Sequence, residues 1–260
     1  MKYCRFQSDS GPQYGLLESF AGRELITATI VDPAEPRAST KSNLRIPLDE
    51  AQLLAPVRPQ KIVCVGRNYR DHARELGNEP PTELLIFLKP PSAIIAAGEK
   101  ICRPRISQRV DYEGELGVVI GRQCRQIRAD EDVRPYLRGY TCVNDVTARD
   151  LQKKDDQWTR AKGFDSFCPV GPLVTDALDP WAGAGIETRV NGEVRQRSNT
   201  SDFIFPLDAI IRYVSAVMTL FPDDLIATGT PAGVGPLNAG DVVEVSIEGI
   251  GTLRNPVVDE

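Results

Sequence analysis

Two glutamates and a lone histidine are the residues whose types and spacing could do chemistry. In Asp111-Tyr112-Glu113-Gly114-Glu115-Leu116-Gly117-Val118-Val119-Ile120, the glutamates stand two apart at the head of an apolar run. Side chains at i and i+2 of a strand share a face, so both carboxylates point the same way. Leu116–Ile120 is apolar on both faces, as in a buried strand. Two carboxylates entering a core cost several kcal/mol each unless compensated. A divalent cation would compensate them, and oxygen ligands without adjacent His or Cys favour Mg²⁺, Mn²⁺ or Ca²⁺ over zinc. The pair could equally sit on the frayed, exposed start of the strand with Arg109 or Arg122 as partners. Asp145 closes another apolar stretch, Tyr140–Val146, where it is a further acidic ligand or a plain helix N-cap. Nothing in the spacing brings it to the glutamates.

His72 is the single histidine, which excludes His-rich zinc sites and His-Glu-x-x-His proteases. On a helix over Asn68–Leu76, Glu75 lies at i+3 and can hold one imidazole nitrogen while orienting the other. Tyr69, His72, Ala73 and Leu76 make its less charged stripe. Such a pair is more often a surface contact than a catalytic dyad. Lys162, one of eight lysines, stands beside Gly163-Phe164. Gly229-Thr230-Pro231-Ala232-Gly233-Val234-Gly235 is either a loop that lets backbone approach a ligand or a simple turn. There is no Gly-x-Ser-x-Gly elbow, no phosphate loop and no Gly-x-Gly-x-x-Gly fingerprint, so three common enzyme classes fall away.

The elements that must position these residues are mostly strands. Lys2–Phe6, Glu24–Val31, Ile62–Val65, Leu84–Leu88, Glu113–Ile120, Tyr140–Val146, Asp224–Thr228, Asp241–Ile247 and Thr252–Val258 read as strands. Asn191-Gly192 within Thr188–Arg195 predicts a type I′ hairpin. Asp130–Leu137 and Thr147–Lys153 read as helical. A longer helix follows Pro206, with Ile210, Ile211, Val214, Val217, Met218 and Phe221 as its apolar stripe. The absence of regular β-α alternation points to an α+β, mainly β fold built on a sandwich or roll. Residues 1–58, with turn-rich 32–40 and Pro47 and Pro56, look like a small N-terminal β-rich subdomain ahead of a larger one over 59–260.

Hydrophobic residues at 41% and charged residues at 26% of 260 suit a globular chain with a substantial core. A net charge of −5 without basic blocks argues against nucleic acid. No apolar stretch is long enough to span a bilayer, and the start has no signal-peptide core, so a cytoplasmic address is expected. Cys4, Cys64, Cys102, Cys124, Cys142 and Cys168 are scattered, as reduced and mostly buried thiols are.

Taken together, the chain from about Lys61 to Val258 resembles the fumarylacetoacetate hydrolase family. The resemblance rests on Val63-Cys64-Val65-Gly66-Arg67-Asn68-Tyr69 with Asp71-His72, Phe87-Leu88-Lys89-Pro90 and Tyr112–Leu116. It continues through Asn144–Asp150, Ala161-Lys162-Gly163-Phe164-Asp165 and Thr228-Gly229-Thr230-Pro231 with Gly233-Val234-Gly235. It implies a mixed β-sandwich roll and a homodimer. It makes Glu113, Glu115 and Asp145 a triad for Mg²⁺ or Mn²⁺, with Ca²⁺ as a substitute. His72 and Glu75 become an acid–base dyad on a lid, with Lys162 as the third catalytic group. Arg67, Tyr69, Lys89, Arg149, Gln152 and Thr230 are then expected to bind a small 2-oxo or β-diketo acid. The leading expectation is hydrolytic C–C cleavage of an acylpyruvate or fumarylpyruvate-type substrate to pyruvate. The alternative is an isomerase, tautomerase or decarboxylase exploiting the same enolate, and a non-catalytic relative is the third class considered.

Overall fold

A computed structural model describes residues 1–30, 33, 44–75, 77 and 79–260. The turn-rich stretch expected over 32–40 lies outside them apart from Pro33, as do Val31 and Leu76. A twelve-stranded sheet dominates the molecule. Its spatial order is Ile46–Pro47, Arg23–Ile30, Gly11–Phe20, Lys2–Ser8, Cys168–Thr175, Leu137–Asn144, Gly114–Ile120, Leu225–Ala227, Ile62–Gly66 and Leu85–Lys89, with two short strands off this path. A five-stranded sheet, ordered Glu193–Asn199, Gly185–Val190, Val242–Ile247, Gly251–Asp259 and Ile101–Arg103, faces it. Leu116, Val118, Cys142 and Leu173 of the first meet Ile186, Val245, Ile247 and Leu253 of the second in one buried cluster. This is a β-sandwich roll with few helices, the α+β, mainly β class that the pattern of strands predicts.

The N-terminal strands share that core. Lys2 pairs with Thr175, and Cys4, Phe6, Leu17 and Ile26 join the same apolar cluster. Phe20 faces Arg23 across Ala21 and Gly22, both at positive φ (+50° and +80°). That is the backbone of a type I′ turn, made here by Ala-Gly rather than the commoner Asn-Gly, which is why the hairpin escaped the sequence pattern. The expected turn at Asn191-Gly192 is present, with φ of +53° and +81° between Val190 and Glu193.

Three expected elements differ. Asp130–Leu137 is no α-helix: only Arg134–Tyr136 forms a 3₁₀ turn, and Leu137 already begins a strand. Pro135 and the lack of an apolar period deny a longer helix its hydrogen bonds and its buried face. Thr147 and Ala148 pair with Asp111 and Val110 instead of starting a helix, which runs over Arg149–Lys154. The long helix is Leu207–Val217, burying Leu207, Ile210, Ile211 and Val214, while Val217 points outward at 57% exposure. Met218 is already extended, with its N–H closing on the Val214 carbonyl, so the stripe ends one turn earlier than its apolar letters suggest.

Two parallel strands lead into segments that line the site, and one buried acid fixes them. Ile62–Gly66 runs beside Leu225–Ala227, with Leu225 opposite Ile62. Asp224, fully buried, accepts the N–H groups of Gln60 (3.2 Å), Lys61 (3.1 Å) and Phe221 (2.8 Å) and pairs with the Lys61 ammonium. Asp224→Ala is therefore expected to destabilise the fold by about 3–5 kcal/mol, because it strands a partly buried cation and three donors. Urea unfolding measures this; a loss below about 1 kcal/mol would class the pair with ordinary surface bridges.

Candidate active site

Glu113 sits in the one-residue break between strands Val110–Tyr112 and Gly114–Ile120, and Glu115 is the second residue of the latter. Its neighbour strand Leu137–Asn144 ends at the same level, with Gly114 opposite Asn144. The Asn144 amide oxygen accepts the Glu113 N–H (2.9 Å), and the Asp145 N–H donates to the Glu113 carbonyl (2.8 Å). These bonds bring Asp145 alongside the two glutamates: one carboxylate oxygen of each lies within 4.8 Å of the others, and all three residues are buried. Gly114 between them admits the second sheet. A Cβ there would lie 2.1 Å from the Thr188 hydroxyl oxygen.

The acids are unequally compensated. Lys162, buried on the short helix Thr159–Lys162, donates to Glu113 (2.9 Å) and Asp145 (2.5 Å). Lys89 holds the other Asp145 oxygen at 2.5 Å and the Val146 carbonyl at 3.0 Å. Arg149 pairs with Glu113 and, through Nε, with buried Asp111 at 2.9 Å. Burial would raise the Glu113 carboxyl, but Lys162 and Arg149 hold it well below the usual carboxylate range. The same carboxylates keep Lys162 protonated against its burial. Glu115 makes no ion pair with any described residue and accepts only the Gly229 N–H, at 2.8 Å. Burial, then Asp145 and Glu113, push its carboxyl well above the ordinary value. A converging set of hard oxygen donors with one member left uncompensated fits a divalent cation of the Mg²⁺ or Mn²⁺ type.

His72 faces these acids across a cavity of about 250 Å³ that it lines together with Arg67, Glu113, Glu115, Asp145, Arg149, Gln152, Lys162 and Thr230. Its Nδ1 lies 3.2 Å from Glu75, whose carboxylate also accepts the Gly233 N–H at 3.0 and 3.1 Å. The Gly233 carbonyl in turn accepts the Tyr112 hydroxyl at 2.8 Å. Burial pushes the imidazole below its ordinary range, against the pull of Glu113 and Glu75, so it is neutral at neutral pH.

Two residues expected to touch substrate stand elsewhere. Lys89 does not reach the cavity and is spent on Asp145 and Val146. Tyr69 does not line the cavity and packs edge-on against Phe203, ring centroids 5.1 Å apart. Arg149 lines the cavity, but all three of its nitrogens are engaged, by Asp111, Gln152 and Glu113. The Thr230 hydroxyl donates to the Gly114 carbonyl (2.9 Å) and accepts from Gln196 (2.7 Å). Gln196, which also accepts the Gly114 N–H at 3.0 Å, was invisible in the sequence. It lies on Glu193–Asn199, a strand whose neighbours are charged, and only its own burial marks it. Lys153, Trp158 and Phe87 are further cavity residues that the sequence did not single out.

Residues 61–258 match the family model described as fumarylacetoacetate (FAA) hydrolase C-terminal, and residues 1–56 match one described as Rv2993c-like, N-terminal. The chain belongs to the fumarylacetoacetate hydrolase family and is an enzyme of that family. Protein Rv2993c of Mycobacterium tuberculosis is 53% identical to it over 214 residues, 82% of this chain and 80% of that protein. The mitochondrial oxaloacetate tautomerase FAHD2A of Bos taurus is 41% identical over 290 residues, covering 99% of this chain and 92% of the relative. A crystal structure of a 5-carboxymethyl-2-hydroxymuconate delta-isomerase from Mycobacterium smegmatis superposes with a TM-score of 0.90 at 42% identity, covering 100% of both chains. No helix among the described residues is long and apolar enough to cross a membrane.

Proposed function

We infer that the enzyme interconverts the keto and enol forms of a small 2-oxo or β-diketo acid, moving a proton on the carbon next to the 2-oxo group. One observation carries this: the buried carboxylates, the Lys162 ammonium and the single neutral imidazole all face the same cavity. Mg²⁺ or Mn²⁺ held by Glu113, Glu115 and Asp145 (Ca²⁺ as a substitute) would supply Lewis acidity toward the substrate's carboxylate and 2-oxo oxygens. Lys162 spends two of its three N–H donors on Glu113 and Asp145, leaving the third for negative charge developing on a substrate oxygen. His72, with Nδ1 held by Glu75, has an Nε2 that bonds to no described residue and can take the proton and return it. Arg149 braces Glu113, and the amide nitrogen of Gln152 is left to meet a substrate oxygen. That the bovine relative is an oxaloacetate tautomerase and the mycobacterial one a delta-isomerase supports a proton-transfer reaction.

A second reading, hydrolysis of an acylpyruvate or fumarylpyruvate-type acid to pyruvate, is favoured by the His72–Glu75 pair, which can activate water as well as carry a proton. Decarboxylation of oxaloacetate would draw on the same enolate stabilisation. Incubating the Mg²⁺-supplied enzyme with oxaloacetate, acetylpyruvate and fumarylpyruvate separates the cases. Fast loss of enol absorbance from oxaloacetate, without pyruvate or CO₂, is the expected result. Pyruvate released from either diketo acid would establish the hydrolase, and no change in any substrate would sink both readings.

A further inference from the structure

Gln196 does not line the cavity, yet it is buried beside it. The other residues of its strand, Glu193–Asn199, are exposed or half-buried, whereas Gln196 is 1% exposed. A β-bulge accompanies this burial. Thr188 pairs with Gln196 and Arg189 with Val194, so Arg195 is an extra residue on this strand. Such an insertion re-aims the side chains next to it. Arg195 itself lies against the glycine loop: a Cβ on Gly233 would stand 2.1 Å from the Arg195 carbonyl oxygen.

The Gln196 amide is fully engaged. Its oxygen accepts the Gly114 N–H at 3.0 Å, and its nitrogen donates to the Thr230 hydroxyl and the Pro231 carbonyl, both at 2.7 Å. The Pro231 carbonyl can only accept, which fixes the orientation of the amide. The Thr230 hydroxyl donates to the Gly114 carbonyl at 2.9 Å. Gln196, Thr230 and Gly114 thus close a ring in which every donor meets an acceptor. Gly114 is the residue between Glu113 and Glu115. Its N–H belongs to the peptide group shared with Glu113 and its carbonyl to the one shared with Glu115, so the ring holds both links between the two acids. Thr188, opposite Gln196, leaves no room for a Cβ at Gly114. Glycine is also the least constrained backbone, and left alone it would be a hinge between the carboxylates.

We propose that Gln196 is a positioning residue for the acid cluster: it fixes the backbone that sets Glu113 and Glu115 apart, and so tunes the affinity for a divalent cation. The proposal rests on the reading of Glu113, Glu115 and Asp145 as a cation site. A plain structural tie is the alternative, and it predicts lost stability with unchanged cation affinity.

Calorimetric titration with Mn²⁺, together with the electron paramagnetic resonance spectrum of the bound ion, decides between them. Gln196→Met keeps the length of the side chain and removes its three hydrogen bonds. Thr200→Val is the control. It removes a buried hydroxyl just past the same strand, bonded to Pro180 and Ala184 at 2.8 Å and not to the acid cluster. Gln196→Met should bind Mn²⁺ roughly ten- to a hundredfold more weakly than the wild type, as loss of a group that orients a metal ligand does. The spectrum of the ion that still binds should broaden. Thr200→Val should bind Mn²⁺ as the wild type does, while urea unfolding records its lost stability. Wild-type affinity in Gln196→Met, or equal weakening in Thr200→Val, would overturn the positioning role alone. Failure of the wild type to bind Mn²⁺ would instead overturn the cation reading on which it rests. Should Gln196→Met not fold, Thr230→Val cuts the same ring at its other link. It should weaken Mn²⁺ binding and Thr230→Ser should restore it; wild-type affinity in Thr230→Val would overturn the role.

Discussion

Glu115→Gln is expected to abolish tight divalent-cation binding and, with it, turnover in the proposed keto–enol reaction. Among the described residues, Glu115 is the one acid of the triad with no ion-pair partner, so its charge is the least satisfied by the protein alone. Replacing it removes one carboxylate of the cluster while leaving the Lys162 contacts to Glu113 and Asp145 and the Arg149 contact to Glu113 in place. Thermal unfolding with and without Mg²⁺ or Mn²⁺ gives a readout independent of turnover. At a hundredfold excess over its dissociation constant, a ligand of the native state adds about 2.7 kcal/mol, and the variant should lose that increment. Titration calorimetry showing equal binding by wild type and variant would remove Glu115 from the site.

The second large effect is expected from His72→Ala. A general acid or base contributes about 10²–10⁴-fold to rate, so kcat should fall by that order while divalent-cation affinity stays close to wild type. The pH–rate profile carries the sign. Because burial lowers the His72 pKa, the imidazole stays neutral and competent as a base to a pH below the usual histidine range. Activity should be lost only as pH falls through that lowered value, and this acid limb should vanish in the alanine variant. Glu75→Gln, which keeps an acceptor but loses the charge opposite Nδ1, should move the limb further down without removing it. Wild-type kcat in His72→Ala would mark the imidazole as a bystander.

Local patterns with a short physical range were legible before any coordinates. The Asn191-Gly192 turn, the buried run after Glu115 and the stripe of Ile210, Ile211 and Val214 each follow from a few adjacent letters. The meeting of Asp145 with Glu113 and Glu115 did not, because it depends on the register of two strands thirty residues apart along the chain. Partner assignment was the least legible. Lys89, Arg149 and Lys162 look alike as cations near motif residues, yet one is walled off behind Asp145, one is saturated and one keeps a free donor. Gln196 could not be found at all, since its role is written in hydrogen bonds to Gly114, Thr230 and Pro231 and not in its neighbours. Asp130–Leu137, read as helical, forms only a 3₁₀ turn because Pro135 removes a backbone donor and no apolar face exists to bury a longer helix.

The Glu75 carboxylate serves two masters at once, the imidazole of His72 and the backbone N–H of Gly233. Among the described residues, the helix Arg70–Glu75 is fastened to Gly233 of the glycine loop by the same group that aims the imidazole. Any displacement of that helix away from the loop would break the fastening and disorient the histidine together. Aim and anchorage are thus one property of this site: a ligand bulky enough to part Glu75 from Gly233 would also leave the imidazole without its orienting partner.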